Sequence, residues 1–163
     1  IRWHFIGHLQ RNKVKYIAPF VHLIHGVDSF SLLKEINKQA AKNERVIDCL
    51  LQIYIATEES KFGLDFAEAE ALLEDPAFAE LQHIRIVGLM GMASFTADEA
   101  QIRQEFQSLA DFFQKLKNNK TGIATGLVEW IELSMGMSGD YLIAADLGAT
   151  LVRVGSAIYG PRH

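Results

Sequence analysis

Cysteine is nearly absent from this chain. Cys49 stands alone among 163 residues. That excludes a disulfide framework, and no Cys/His grouping has the spacing of a zinc site. Basic excess is absent too: 16 Lys and Arg against 20 Asp and Glu give a net charge of −4. No global positive field is available to hold nucleic acid or an anionic membrane surface. No run approaches the ~18 uninterrupted apolar residues of a membrane-spanning helix. No basic segment with a small-residue cleavage site marks a signal peptide. A reducing, cytoplasmic location is the expectation. The sequence opens on Ile1 rather than on Met, and a strand is expected to start there at once.

What is present is core-forming material. Apolar residues make up 49% of the chain and charged residues 22%, which excludes disorder and low complexity. At ~150 residues per domain, the length corresponds to one domain.

Short apolar runs alternate with longer amphipathic ones. Strands are expected at residues 2–9, 21–27, 46–56, 84–90, 130–134 and 150–154. Helices are expected at 13–20, at 66–73 behind Asp65, at 99–117 and at 140–147. A further helix starts from a cap at Asp28 or Ser29 and carries Leu32, Leu33, Ile36 and Ala40 at helical spacing. In 99–117, Phe106, Leu109, Phe113 and Leu116 form one apolar stripe. Six strands separated by helices describe a parallel α/β domain. Either an open doubly wound sheet or a β/α barrel fits. In both, ligands collect at the carboxyl ends of the strands, where this sequence places Gly7, Gly26, Gly91, Gly136 and Gly155.

The strongest local signal lies at the end of the chain. Residues 133–140 and 148–162 are each a strand running into a Gly- and Ser-containing loop. Exposed amides in such loops bind phosphate oxygens without a lysine. Ser138 adds a hydroxyl, and Gly155 and Ser156 add amides. The plainer reading is ordinary turn chemistry at strand ends. Arg153 lies in the last strand between Val152 and Val154 and points opposite to both. A buried Arg there needs a carboxylate, a phosphate or a ring-nitrogen acceptor; the alternative is an Arg facing an outer helix and paired with an Asp or Glu.

His4 and His8 fall in the first expected strand, and His22 and His25 in the second. Four histidines suggest a metal, but His4 and His8 are ~13 Å apart along a strand, too far to share an ion. A core or ligand-facing histidine is the better reading. Glu58, Glu59 and Lys61 read as a solvated loop. Cys49 sits inside an apolar run and reads as inert core. Met135 and Met137 flank Gly136 and read as core, with a backbone able to line a ligand.

The motifs in order resemble one family. The run Trp3-His4-Phe5-Ile6-Gly7-His8-Leu9-Gln10 followed by Asn12-Lys13 is similar to the opening signature of the pyridoxal phosphate homeostasis proteins, an alanine-racemase N-terminal-domain-like family. His25-Gly26-Val27-Asp28-Ser29, Ser60-Lys61-Phe62-Gly63, Gly88-Leu89-Met90-Gly91-Met92, residues 133–140 and residues 152–160 match in sequence order. The resemblance covers the whole chain.

It implies a TIM (β/α)8 barrel of the alanine racemase N-terminal type that carries pyridoxal 5'-phosphate (PLP) on a lysine. It implies a role in intracellular vitamin B6 and amino-acid/keto-acid balance, without a defined catalysed reaction. The alternative is a PLP-dependent amino-acid racemase or lyase. A third class is a PLP-independent module for a phosphate-bearing ligand. By motif, Ser138 and the amides of Gly155 and Ser156 hold the phosphate, Met137 is a further cofactor-binding residue, Arg153 faces the pyridine nitrogen and His4 faces the cofactor cavity. Amino acids are further candidate ligands, and the parent is expected to be monomeric.

The chain departs from the family pattern in three places. The family's lysine lies in a Val-Ser-Lys strand that this chain does not contain, so the covalent anchor is expected to be absent. A complete barrel takes ~250 residues and eight strands, and six are counted here. Residues 1–163 are therefore expected to form the C-terminal three-quarters of a single barrel domain, lacking about the first two strands. Met92 also stands where the racemase places a ring-contacting histidine.

Overall fold

The computed structural model describes residues 1–57 and 62–163. Six strands form one sheet: β1 (Trp3–Phe5), β2 (Val21–Val27), β3 (Ile47–Ile53), β4 (Ile84–Gly91), β5 (Val128–Met137) and β6 (Leu151–Arg153). Their spatial order equals their sequence order, and every neighbouring pair is parallel. A doubly wound sheet reverses direction at a switch point. This one never does, which selects barrel-type winding from the two architectures the sequence leaves open.

The sheet is also curled. β2 and β5 are three strand spacings apart, ~14 Å along a flat sheet. Yet His25 Nδ1 on β2 lies 2.8 Å from Ser134 Oγ on β5. Two short side chains standing on a flat sheet could not meet over that span. The strands therefore form an arc with a concave face. The concave side carries a small apolar cluster of Leu23, Leu50, Val87 and Met90, with Leu151 packed against it. The larger core lies on the convex side.

The helices that cover the convex side follow from local sequence. Helix α2 (Phe30–Lys42) starts where the Ser29 hydroxyl accepts the Leu32 amide at 3.1 Å, and it buries Leu33 and Ile36 completely. Helix α3 (Phe66–Glu74) opens with a full capping box: Asp65 accepts the Glu68 amide, and Glu68 accepts the Asp65 amide. Helix α5 (Glu99–Asn118) buries the stripe Phe106, Leu109, Phe113 and Leu116.

Several boundaries differ from the expected ones for physical reasons. The first strand ends at Phe5, not at residue 9, so His8 lies outside it. Leu9 and Val14 are buried in the convex core, and the chain reaches them through a 3-10 turn (Arg11–Lys13) and the short helix α1 (Val14–Ile17). The fifth strand extends past Ser134 to Met137, because Met135 continues the buried run. Two short helices carry too little pattern to be read from sequence. In α4 (Pro76–Ala79) Asp75 caps the Ala77 amide, Pro76 takes the first position, and Phe78 is fully buried. Helix α7 (Ser156–Tyr159) is exposed throughout. Helix α6 (Tyr141–Asp146) falls inside its expected span. The loop reading for Glu58, Glu59 and Lys61 lies outside the described residues, as do Ser60 and Lys61 of the matching motif.

Candidate functional site

Because all strands are parallel, their carboxyl ends gather at one rim of the arc. Four strands send polar groups onto the concave face near that rim. Arg153, the last residue of β6, donates through one guanidinium nitrogen to Ser134 Oγ on β5 at 2.7 Å. Through the other it donates to the Gly91 carbonyl at the end of β4 at 3.1 Å. Ser134 Oγ also contacts His25 Nδ1 of β2, and His25 Nε2 lies 3.0 Å from His4 Nδ1 of β1. A continuous hydrogen-bonded chain thus crosses the arc from one edge strand to the other.

Burial decides the charge state of this chain. Ser134 is completely buried, and His25 is 2% exposed. Burial, the adjacent His4 and the positive charge of Arg153 push the His25 pKa down to about 3. His25 is neutral across the physiological range. Desolvation and then His22 also lower the pKa of His4, against an opposing pull from Glu132. Arg153 is lowered to about 10 by burial, against the Asp140 carboxylate, so it remains a cation at neutral pH. Neither of its acceptors carries a charge, and it makes no ion pair among the described residues. The alternative of an Arg paired with an acid on an outer helix does not hold.

The second half of the site lies just beyond β5 and β6. Ser138 Oγ accepts the amides of Gly155 at 3.1 Å and Ala157 at 3.2 Å. The two N–H groups converge on one oxygen at an exposed position. Asp140 fixes the preceding turn by accepting the Met137 amide at 2.7 Å. Gly136 is required here. Its φ is +101°, and a Cβ would fall 2.7 Å from the Ala144 Cβ on α6. That close approach lets α6 pack directly beneath the loop.

The anticipated site residues therefore fall into two linked groups. His4 and Arg153 are the ends of the cross-arc chain. Ser138 and Gly155 share one hydrogen bond, Met137 leads into that turn half exposed, and Ser156 begins α7. Ala157 supplies the second amide, a role the sequence reading had not given it. Ser134 is not among the anticipated site residues, and His25 is anticipated only as a core or ligand-facing histidine. Each is a buried polar side chain inside an apolar strand, and that is the signal by which they could have been found. His8 stands apart, 3.9 Å from the Asp28 carboxylate. Cys49 is buried, and burial beside Asp48 raises its pKa. Among the described residues, no group of three His, Cys, Asp or Glu side chains could hold a metal ion. No described helix is long and apolar enough to cross a membrane.

Comparison with known proteins places this arrangement. The family model described as "Alanine racemase, N-terminal domain" matches residues 2–163. The pyridoxal phosphate homeostasis protein of Aquifex aeolicus is 36% identical over 162 residues, covering 99% of this chain and 68% of that protein. The human protein of the same name is 36% identical over 167 residues, covering 99% and 59%. The chain thus spans about two thirds, or somewhat less, of the length of the curated relatives it matches. The structure of PipY from Synechococcus elongatus with PLP bound superposes with a TM-score of 0.82 at 31% identity, covering 98% of this chain and 71% of that one. On the match over residues 2–163, this chain belongs to the alanine racemase N-terminal domain family.

Proposed function

We propose that this chain binds pyridoxal 5'-phosphate on its concave face and belongs to a protein of intracellular PLP homeostasis. The observation that carries the reading is Arg153. It is a guanidinium on the concave face with only neutral acceptors, two residues before an amide aimed at Ser138. A cation so placed suits an anionic or aromatic-nitrogen ligand. The amides of Gly155 and Ala157 converge on the Ser138 oxygen, and a phosphate oxygen that takes the place of that acceptor receives the same two bonds. In this reading the Gly155, Ser156 and Ala157 backbone and the Ser138 hydroxyl hold the phosphate. Met137 lines the approach, Arg153 meets the pyridine nitrogen, and His4 faces the cavity.

PLP supplies an electron-withdrawing ring. An arginine, itself a proton donor of high pKa, leaves the ring nitrogen unprotonated. That weakens the ring as an electron sink and favours holding the cofactor over carbanion chemistry. The residues of this chain bind and orient; none is assigned a proton transfer. The names and the bound PLP of the relatives support the same reading.

The finer architecture is part of the proposal. The six-stranded arc is read as three-quarters of a (β/α)8 barrel, with residues 1–163 contributing one domain's C-terminal portion. Sequential parallel order and the curl that joins His25 to Ser134 support it. A cytoplasmic, monomeric parent with amino acids as further ligands completes the reading.

The test is a PLP titration followed by absorbance and equilibrium dialysis, on this chain and on the parent protein. Saturable binding weakened by both Arg153→Ala and Ser138→Ala is the expected result. Binding unchanged in both variants would overturn the assignment of the site.

A further inference from the structure

The chain of hydrogen bonds from Arg153 to His4 has only one consistent direction. Arginine has no acceptor, so Arg153 always donates to Ser134 Oγ. Ser134 is fully buried, and its own hydroxyl proton needs an acceptor. Among its described partners, the group able to take it is His25 Nδ1 at 2.8 Å. His25 Nδ1 is then bare, and the single proton of the neutral ring lies on Nε2. From there it points to His4 Nδ1 at 3.0 Å. His4 Nδ1 is bare in turn, and its proton lies on Nε2. The reverse direction would place the His25 proton against Ser134 and leave a buried hydroxyl hydrogen without an acceptor. Charging either ring would put two hydrogens on one contact.

We propose that Ser134 and His25 are positioning residues that transmit the donor character of Arg153 across the arc, so that His4 presents Nε2–H to the molecule bound on the concave face. The ligand group facing His4 is then a hydrogen-bond acceptor, an oxygen or an unprotonated nitrogen. The identity of that molecule rests on the PLP reading, whereas the direction of the relay does not.

The surroundings agree. The charged and titratable groups that act on the relay are His22 on β2, Glu132 on β5, Arg153 on β6 and Asp140 beyond β5. The rings of His4 and His22 are 5.7 Å apart, and those of His4 and His25 are 5.2 Å apart. A proton on His25 would face both His4 and Arg153. Its low pKa, set first by burial, keeps the inner part of the relay in one state.

The deciding experiment reads histidine tautomers by ring nitrogen–proton correlation NMR on nitrogen-15-labelled protein, without added cofactor. Expected are neutral Nε2–H forms of both His25 and His4, with His25 unprotonated on acidification until the protein unfolds. In Ser134→Ala the fixed tautomer of His25 is lost, and that of His4 with it. Ser134→Thr, which keeps the hydroxyl, restores both. A His25 proton found on Nδ1 in the wild type overturns the proposal. So do tautomers unchanged in Ser134→Ala, since a merely structural serine would alter melting and leave the rings alone. Should Ser134→Ala fail to fold, the wild-type tautomers decide. Pyridoxal phosphate is then added as the probe. A shifted His4 Nε2–H signal on binding supports the donor role, and an unshifted one in a bound complex overturns it. If pyridoxal phosphate does not bind at all, the reading of the site fails while the tautomers still decide the relay.

Discussion

The Ser138 hydroxyl oxygen and the Gly155 amide meet at 3.1 Å and join the turn after β5 to the turn after β6. Ala157 donates to the same oxygen. Both contacts are exposed, so their net worth to folding is small. In the proposed site their worth to a phosphate is larger, because the hydroxyl holds the amides in one orientation. Ser138→Ala is expected to leave thermal stability within about 0.5 kcal/mol of wild type. PLP affinity should fall roughly fivefold to tenfold, as for one hydrogen bond of ~1 kcal/mol. Dialysis and a denaturant melt on the same samples separate the two effects. Equal losses in both would show that the serine only holds the fold.

Arg153 stands differently, because two strands depend on it. Its bonds to Ser134 and to the Gly91 carbonyl tie β6 to β5 and β4. Bonds from a charged donor are worth ~1.5–3 kcal/mol. In the proposed site its bond to the ligand is of the same kind, so Arg153→Ala should weaken PLP binding by about tenfold or more. Arg153→Lys keeps the charge but loses the planar fork, and it should recover only part of the affinity. Full recovery by lysine would mean that charge alone matters and that the planar fork contributes nothing.

The edges of legibility in the sequence run along the same division. Strand β2 is readable to the residue, because Val21, Leu23, Ile24 and Val27 form a short β-rich segment closed by Asp28 and Ser29. Helix α5 was readable because Phe106, Leu109, Phe113 and Leu116 repeat at helical spacing. Strand β1 was overread, since Ile6 and Leu9 are apolar yet lie beyond its end; Leu9 enters the core from a loop. Arg153 and Ser138 could be anticipated from local pattern and resemblance. The partners of Arg153 could not. Ser134 lies on the neighbouring strand and the Gly91 acceptor is a backbone carbonyl, while His25, the further partner of Ser134, is 109 residues away from it. Only the curl of the sheet brings His25 to Ser134, and no local spacing encodes a curl.

β4 and β5 approach each other closely at Gly88. In the register of β4 and β5, Gly88 faces Glu132, and a Cβ added there would fall 1.7 Å from the Glu132 carbonyl oxygen. Backbone cannot give way as a side-chain tip can. Gly88→Ala is expected to cost at least about 3 kcal/mol in urea unfolding, at the upper end of overpacking penalties. Gly139→Ala is the control, since its Cβ would meet nothing within 4 Å. A Gly88→Ala protein within about 1 kcal/mol of wild type would show that β4 and β5 can separate without loss.

The buried neutral state of His25 has a consequence for stability against pH. Above its ordinary pKa of 6.5, His25 is neutral both folded and unfolded, and it contributes no slope. Below that value the unfolded chain takes up a proton that the folded protein refuses until about 3. The unfolded state binds more protons, so stability falls as the pH falls. One such group gives a slope of up to about 1.4 kcal/mol per pH unit. His25→Gln keeps a polar, hydrogen-bonding side chain and removes the titration. Its stability is expected to be lower than wild type near neutrality and to decline less steeply on acidification. The measurement is the urea midpoint at a series of pH values, with the denaturant slope checked for constancy. Carboxylates and histidines outside the relay are shared by the two proteins and cancel in the difference between the curves, which then reports His25 together with its partner His4. Parallel curves would show that His25 takes its proton in the folded protein. The hydrogen bond it makes to Ser134 would then not be the one that the burial of both residues requires.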